Sequence, residues 1–519
     1  MYNETIRTEN ASLLPNKEIM TRETLLQLKN GTDIRGTAIG AQNDPVTLTD
    51  EAVSAIAKAF CVWAAKKTGT SAPVIAVGHD SRLSAEHIAS LVEKAVCACG
   101  GNVILTGLSS TPSMFMLLQD DFGADASIMI TASHLPYQKN GLKFFLKSGG
   151  LEGSEITELL EIAAKGTFPN GNGTSEKKSY LEIYANGLVE KVRAACGKQQ
   201  PLKGKKILVD AGNGAGGFYA DLVLKPLGAD TGGSQFLEPD GTFPNHIPNP
   251  ENQTAMQSVC DAVKRHGADF GIIFDTDVDR AGAVSHNGEE INRNRLIALI
   301  SAILLEEEKD AYIVTDSVTS DGLAQFIQSR GGVHHRFQRG YKNVINESIR
   351  LNREGKNSPL AIETSGHAAF RENYFLDDGA YLVTRLLIAL AKCAEQSKDL
   401  LDLISSLPEA KEKTEIRLNF RSGVDFKTLG NGVIDDLKEK ARRSFALSLA
   451  PDNYEGVRIN FSKDAGDGWA LVRMSLHEPI MPINVESNSI GGNAKIIETL
   501  YGFLKDYPFL MTDHMTKTI

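Results

Sequence analysis

The sequence predicts an α/β protein of several domains that closes with a smaller α+β unit. Three observations lead there. The chain has 519 residues, and at roughly 100–200 residues per domain that length holds about three or four domains. Short apolar, β-branched runs alternate with amphipathic helical stretches, the βαβ rhythm of parallel sheets. After Pro408 that rhythm breaks: KEKTEIRLNF, a helical stretch near Val433 to Ser444, then VRINF and WALVRMSLHEP follow, a pattern of antiparallel strands with a helix.

In chain order the strand runs are Pro73 to Val77, Asn102 to Leu105, Ser127 to Thr131, Lys206 to Val209, Phe270 to Phe274, Tyr312 to Thr315 and Leu360 to Ile362. Most lead into a polar loop. In open parallel sheets ligands bind beyond the carboxyl ends of the strands, so these loops are where chemistry is to be sought. Boundaries are expected near the Gly/Asn-rich Phe168 to Lys178, near Glu290 and at Leu407-Pro408.

Acidic residues (65) outnumber basic ones (55), and no Lys/Arg block breaks the balance. A nucleic-acid or anionic-membrane surface would oppose that field, whereas a local basic cluster can still hold a small anion. No run approaches the ~20 apolar residues of a membrane helix, and the N-terminus lacks the apolar core of a signal peptide. A cytoplasmic protein is expected, with its six cysteines reduced.

Five motifs carry candidate chemistry. In SIMITASHLPYQKNGLKFF a strand runs into Ser133 and His134, with Lys143 in the next apolar segment. A serine hydroxyl exposed at a strand end, with a lysine and a histidine near it, suits a nucleophile or phosphoryl carrier; a loop serine capping a turn is the bland reading. In ADFGIIFDTDVDRAG the alternating Asp275, Asp277 and Asp279 converge on one side of an extended loop and need a cation between them; all-oxygen ligands favour Mg²⁺. An EF-hand is excluded by Arg280 and His286 at positions that require Gly and Glu. The same strand end also resembles the nucleophile motif of haloacid-dehalogenase phosphatases, with Asp275 as nucleophile. KILVDAGNGAGG places Gly212, Gly214 and Gly217 after a strand, with Asp230 further on, so a dinucleotide site has to be considered. In LAIETSGHAAF, Glu363, Ser365 and His367 offer hydrogen-bond partners for vicinal sugar hydroxyls. In WALVRMSLHEPIMPINVES, Arg473, Ser475 and His477 can converge on a phosphate, or Ser475 and Pro479 can simply make a turn. One such loop per domain, facing a common cleft, explains their even spacing.

With GTDIRG (Gly31 to Gly36), TASH, DTDVDR, ETSGH and Arg473-x-Ser475 in family order, the chain resembles the α-D-phosphohexomutase superfamily over most of its length. The resemblance implies three related α/β domains with mixed, mostly parallel sheets and a smaller α+β C-terminal domain around a cleft. The expected limits are 1–186, 187–292, 293–408 and 409–519. It implies that Ser133 carries a phosphoryl group, and that Asp275, Asp277 and Asp279 hold Mg²⁺ together with the seryl phosphate. Arg280 contacts the site beside them, and His134, Lys143 and Arg35 assist proton transfer and charge stabilisation. Glu363, Ser365 and His367 would form the sugar loop, Gly340 and Lys342 a further substrate loop, and Arg473, Ser475 and His477 the phosphate loop. The implied ligands are hexose mono- and bisphosphates, with neither nucleic acid nor membrane as partner, in a monomer or small homo-oligomer.

Two departures stand out. Leu135-Pro136 follows Ser-His where the family usually has Asn-Pro, and the fourth loop has Leu476 and His477 for Gly-Thr and Pro482 for its last Arg. The missing guanidinium favours net synthesis of glucose 1,6-bisphosphate from a glucose monophosphate and fructose 1,6-bisphosphate. Conventional phosphoglucomutase/phosphomannomutase activity is the alternative.

Overall fold

The computed structural model describes residues 20–475 and 478–516. All seven apolar runs are strands, and they belong to three mixed sheets; a fourth, wholly antiparallel sheet follows. In the first sheet Val74–His79 pairs in parallel with Asn102–Leu108 and Ala126–Ile130. In the second Ile207–Asp210 lies parallel to Phe270–Phe274, and in the third Tyr312–Thr315 lies parallel to Val333–Arg336 and Leu360–Ile362.

The strands leading into the Ser133, Asp275, Glu363 and Arg473 loops do not cross over. Ala126–Ile130 returns antiparallel through Lys139–Leu146, Phe270–Phe274 through Ala281–Ser285, and Leu360–Ile362 through Ala368–Phe370. In the last sheet Gly468–Val472 returns through Ile480–Ser487. A parallel crossover needs a dozen or more residues, and these loops are too short for one. These four loops are therefore hairpin loops, and in the three mixed sheets each joins a strand of the parallel set to its antiparallel neighbour.

The helix Asp50–Thr68 shows how local sequence sets the elements. Thr49 caps it by accepting from Ala52 N, and Gly69 ends it in the left-handed region at φ 73°. Its Phe60 and Trp63 pack with Phe144 of the returning strand in a core on one face of the first sheet. The opposite face of that sheet shares a single apolar cluster with the second and third: Met129, Phe145, Phe274, Ile313 and Phe370 all belong to it. Burial at about 25 cal/mol per Å² makes such a shared core costly to divide, so the three hairpin loops it supports keep fixed relative positions. The boundary expected between residues 186 and 187 falls inside the helix Leu181–Cys196, which the same cluster anchors through Tyr184, Leu188 and Val192. The fourth sheet has its own core. It is tied to the third by the buried Arg458, which donates to the carbonyls of Ser317 and Thr319 and to Asp321 while lying over Trp469. All six cysteines are free thiols. Among the described residues no helix is long and apolar enough to cross a membrane.

Candidate active site

The first two hairpins meet at Ser133. Its hydroxyl accepts from Arg280 Nη2 at 2.8 Å and donates to Asp275 Oδ2 at 3.0 Å, joining residues 142 and 147 positions apart. Ser133 is held in the left-handed region (φ 52°) and is only 4% exposed, so the exposed hydroxyl expected from the sequence is corrected: the second hairpin folds over it. Arg280 also donates to Asp275 from Nε (3.0 Å) and to His134 Nδ1. Burial and the neighbouring Arg280 and Arg35 push the His134 imidazole down to about 2. His134 is therefore held neutral and supplies no positive charge.

Lys143, from the returning strand, donates to Asp277 Oδ2 at 2.9 Å and to Asp279 Oδ2 at 2.5 Å. Burial opposes its charge, yet Asp277 and Asp279 together hold it protonated well above the usual lysine range. Thr111, at the N-terminus of the helix Thr111–Met116, donates its hydroxyl to Asp277 at 2.5 Å and its N–H to the Asp277 carbonyl. Arg35 lies on the strand beside the Ser133 hairpin, paired with Asp33 at 2.8 Å, and its Nε is buried without a partner.

Asp275, Asp277 and Asp279 offer oxygens that all lie within 4.8 Å of one another, every one on a buried residue. Asp277 Oδ1 and Asp279 Oδ1 are buried with no hydrogen-bond partner. Burial and the adjacent Asp279 drive Asp275 well above the ordinary carboxylate range. Unpartnered, mutually repelling oxygens in a dry site are what a hard cation satisfies, so the donor set fits a metal.

The third hairpin loop adds Glu363, Ser365 and His367. Glu363 accepts the Gly340 N–H at 2.6 Å, and burial together with Asp316 raises it to about 7. Ser365 lies 3.5 Å from Glu363. His367 donates from Nδ1 to Asp377 at 2.5 Å, lies 3.9 Å from Asp279 and stacks on Tyr341. Burial works against its charge, but Asp377 and Asp279 raise it to about 9. The imidazolium of the site is thus His367, with a place against the metal loop that its sugar assignment did not anticipate. Lys342 donates to the Gly150 carbonyl at 2.9 Å and pairs with Glu152 at 3.0 Å, bridging the first and third units. It also lines a cavity of about 500 Å³ together with Thr111, Lys143, Asp279, Tyr341 and Asp377.

On the fourth hairpin Arg473 lies 3.9 Å from Glu455, its Nε buried and unpartnered, while Ser475 Oγ accepts the Glu478 N–H in a tight turn. His477 lies outside the described residues. Burial, and then the nearby Arg339, lower the Arg473 guanidinium from its ordinary range. Arg339 in turn donates its backbone N–H to Glu455 and pairs with Asp316 at 3.5 Å. A cavity of about 560 Å³ between the second, third and fourth units is lined by Glu251, Arg339, Thr364, Glu415 and Asn484.

The glycine-rich turn holds no dinucleotide. A Cβ on Gly214 would lie 2.6 Å from the Thr276 carbonyl and one on Gly217 2.2 Å from that of Leu237, so protein backbone fills the space a pyrophosphate would need. Short 3₁₀ and π turns follow in place of the phosphate-binding α-helix, and Asp230 is a surface residue pairing with Lys206. The turn instead supports the metal loop, with Ala215 N donating to the Thr276 carbonyl.

The sequence reading missed Thr111, Arg339, Tyr341, Asp377 and Arg82. Asp377-Asp378 reads as a helix cap, and Asp378 is one. Arg82 sits in the polar loop after Val74–His79, the class of loop that reading singles out.

Comparison with known proteins gives the family. The chain matches the phosphoglucomutase/phosphomannomutase alpha/beta/alpha domains I, II and III over residues 26–170, 182–288 and 292–410. It is 30% identical to a phosphoglucomutase of Neisseria meningitidis serogroup A over 471 residues, covering 90% of this chain and 95% of the relative. It is also 30% identical to a phosphomannomutase/phosphoglucomutase of Pseudomonas putida, over 80% of this chain and 84% of that one. The crystal structure of a phosphoglucomutase/phosphomannomutase family protein from Burkholderia thailandensis superposes with a TM-score of 0.76 at 28% identity, covering 94% and 98% of the two chains. The chain belongs to the phosphoglucomutase/phosphomannomutase family of the α-D-phosphohexomutase superfamily.

Proposed function

We propose that the chain is a Mg²⁺-dependent phosphohexomutase that interconverts hexose 1- and 6-phosphates through a phosphorylated Ser133. The observation that carries this reading is the Ser133 hydroxyl, held at once by Arg280 and Asp275 beside three clustered carboxylates. In the forward half-reaction the bond between Ser133 Oγ and phosphorus breaks as a sugar oxygen bonds to phosphorus. The resulting bisphosphate then returns its other phosphoryl to Oγ. Mg²⁺, held by Asp275, Asp277 and Asp279, would supply positive charge to the oxygens of the transferring group. Arg280 orients Oγ, Lys143 and His367 offset the carboxylates, and His134, 3.3 Å from Oγ, is a neutral hydrogen-bond partner for it. Glu363 and Ser365 are assigned to sugar hydroxyls, and Arg473 and Ser475, with His477 on sequence grounds, to the distal phosphate.

The expectation of bisphosphate synthesis rested on the guanidinium absent at Pro482. Arg339 weakens that argument, because it lies beside Arg473 with Glu455 between them, two guanidiniums that a phosphate could neutralise. The names of the relatives also favour interconversion. Glucose 1-phosphate with catalytic glucose 1,6-bisphosphate is expected to convert rapidly to glucose 6-phosphate. Stoichiometric glucose bisphosphate and fructose monophosphate from fructose 1,6-bisphosphate, without that conversion, would reverse the choice.

The raised Glu363 gives a pH signature. Its carboxylate can accept from two hydroxyls only when ionised, so kcat/KM should rise with pH through about 7. Glu363→Gln should lose about 100-fold in kcat/KM and flatten that limb. Since the folded group titrates above its ordinary 4.5, its ionisation costs stability, a cost absent below about 4.5 and complete above about 7. Thermal melting at pH 8 should therefore show Glu363→Gln no less stable than the wild type. A profile unchanged in the variant would remove Glu363 from sugar recognition.

A further inference from the structure

We infer that Arg82 is a positioning residue for the phosphoryl carrier: its guanidinium sets the shape of the 133–139 turn and so the direction of Ser133 Oγ. The inference rests on the reading of Ser133 proposed above. Arg82 is 2% exposed, its side chain wholly covered, and all five of its N–H donors are engaged. Nη1 donates to the carbonyls of Pro136 and Lys139, both at 2.8 Å. Nη2 donates to those of Leu135, at 2.7 Å, and of Ser133 itself. Nε donates to Asp80 Oδ2 at 3.2 Å, and the Arg82 backbone N–H to Asp80 Oδ1 at 2.9 Å.

Four carbonyl oxygens turned toward one point repel one another unless donors stand between them. A planar fork with a delocalised charge satisfies all four, which a lysine with three donors on a point charge cannot do. Within itself the turn has few ties. Leu135 N bonds to the Ala132 carbonyl at 3.2 Å and Lys139 N to that of Pro136 at 2.9 Å, and Ser133 N donates to Thr131 Oγ1 at 2.9 Å. The left-handed backbone of Ser133 is a conformation that surrounding structure must enforce.

Arg82 also reaches the second unit. Its backbone bridges to Gly241, and Phe243 lies under the guanidinium with 5.3 Å to the ring centroid. Gly241 has no room for a side chain, since a Cβ would come within 2.4 Å of the Ser81 carbonyl and the Leu83 N–H. One arginine therefore joins the end of Val74–His79, the carrier turn and the unit that bears the metal loop. Phosphoryl transfer needs attacking and leaving oxygens in line, so a small error in the direction of Oγ is expensive.

The test compares Arg82→Lys and Asp80→Asn with the wild type in the full chain. It measures Ser133 phosphorylation by glucose 1,6-bisphosphate in a single turnover, steady-state kcat and KM, and thermal melting. In Arg82→Lys phosphorylation and kcat should fall about 100-fold, while KM for hexose phosphate stays within about twofold because other loops bind the sugar. Asp80→Asn keeps the arginine and loses only its aim, so it stays testable if Arg82→Lys fails to fold. It should lose about tenfold in kcat at unchanged KM. Millimolar guanidinium should restore part of the rate to Arg82→Ala. A folded Arg82→Lys or Asp80→Asn phosphorylated at the wild-type rate overturns the inference, as does a loss carried by KM. A wild-type chain that takes up no phosphate would instead overturn the carrier reading itself.

Discussion

Ser133→Ala is expected to lose at least about four orders of magnitude in kcat, because among the described residues no other hydroxyl bonds both Arg280 and Asp275 where the phosphoryl group would be accepted. The protein should still fold. Arg280 keeps its bonds to Asp275 through Nε and the backbone, so the deletion leaves one charged donor short of a partner at a cost of about 1–3 kcal/mol. Melting should move only by a few degrees, and sugar-phosphate binding, followed by calorimetry, should persist. The rival in which Asp275 is the nucleophile makes the opposite forecast, since the variant would then keep its activity. Asp275 is poorly free for that role, with both oxygens already accepting from Arg280.

Asp277→Asn should be nearly as damaging by a different route. Asp277 Oδ2 accepts from Thr111 and Lys143, leaving Oδ1 buried and unpartnered toward Asp275 and Asp279. An amide that keeps the first two bonds must turn its NH₂ toward the place of the cation. Metal affinity should fall about 10- to 100-fold and kcat by about 100- to 1,000-fold, with the fold kept because Lys143 retains Asp279. The check is chelation with EDTA followed by a Mg²⁺ titration. The wild type should recover fully and the variant only in part, at higher Mg²⁺. Full activity in the chelated wild type would remove the three carboxylates from the chemistry.

The strands and the motif loops were legible because both signals are local: an apolar β-branched run, and a polar loop at its end. The direction of return was not. Whether Lys139–Leu146 pairs beside Ala126–Ile130 depends on loop length and on the cover of the sheet, which periodicity does not record. Burial of Ser133 was missed for a related reason, since the cover comes from a hairpin 142 residues away. The two histidines show the same limit in electrostatics. His134 and His367 look alike beside their motifs, yet burial and Arg280 hold one neutral while Asp377, against burial, keeps the other charged. The glycine pattern at Gly212 to Gly217 matched a cofactor signature because close backbone approach, which glycine permits, serves a protein loop as well as a pyrophosphate. Arg82 left little trace in the sequence, for its partners are carbonyls, which every residue has.

The most direct test of the account is to locate the phosphate. The wild-type chain is incubated with glucose 1,6-bisphosphate, rapidly quenched, weighed intact and then mapped by peptide fragmentation. The account predicts one added phosphate per chain, on Ser133, stable to mild acid and discharged by added hexose monophosphate. A phosphate on Asp275, labile as an acyl phosphate, or a chain that turns over substrate without ever carrying one, would contradict it.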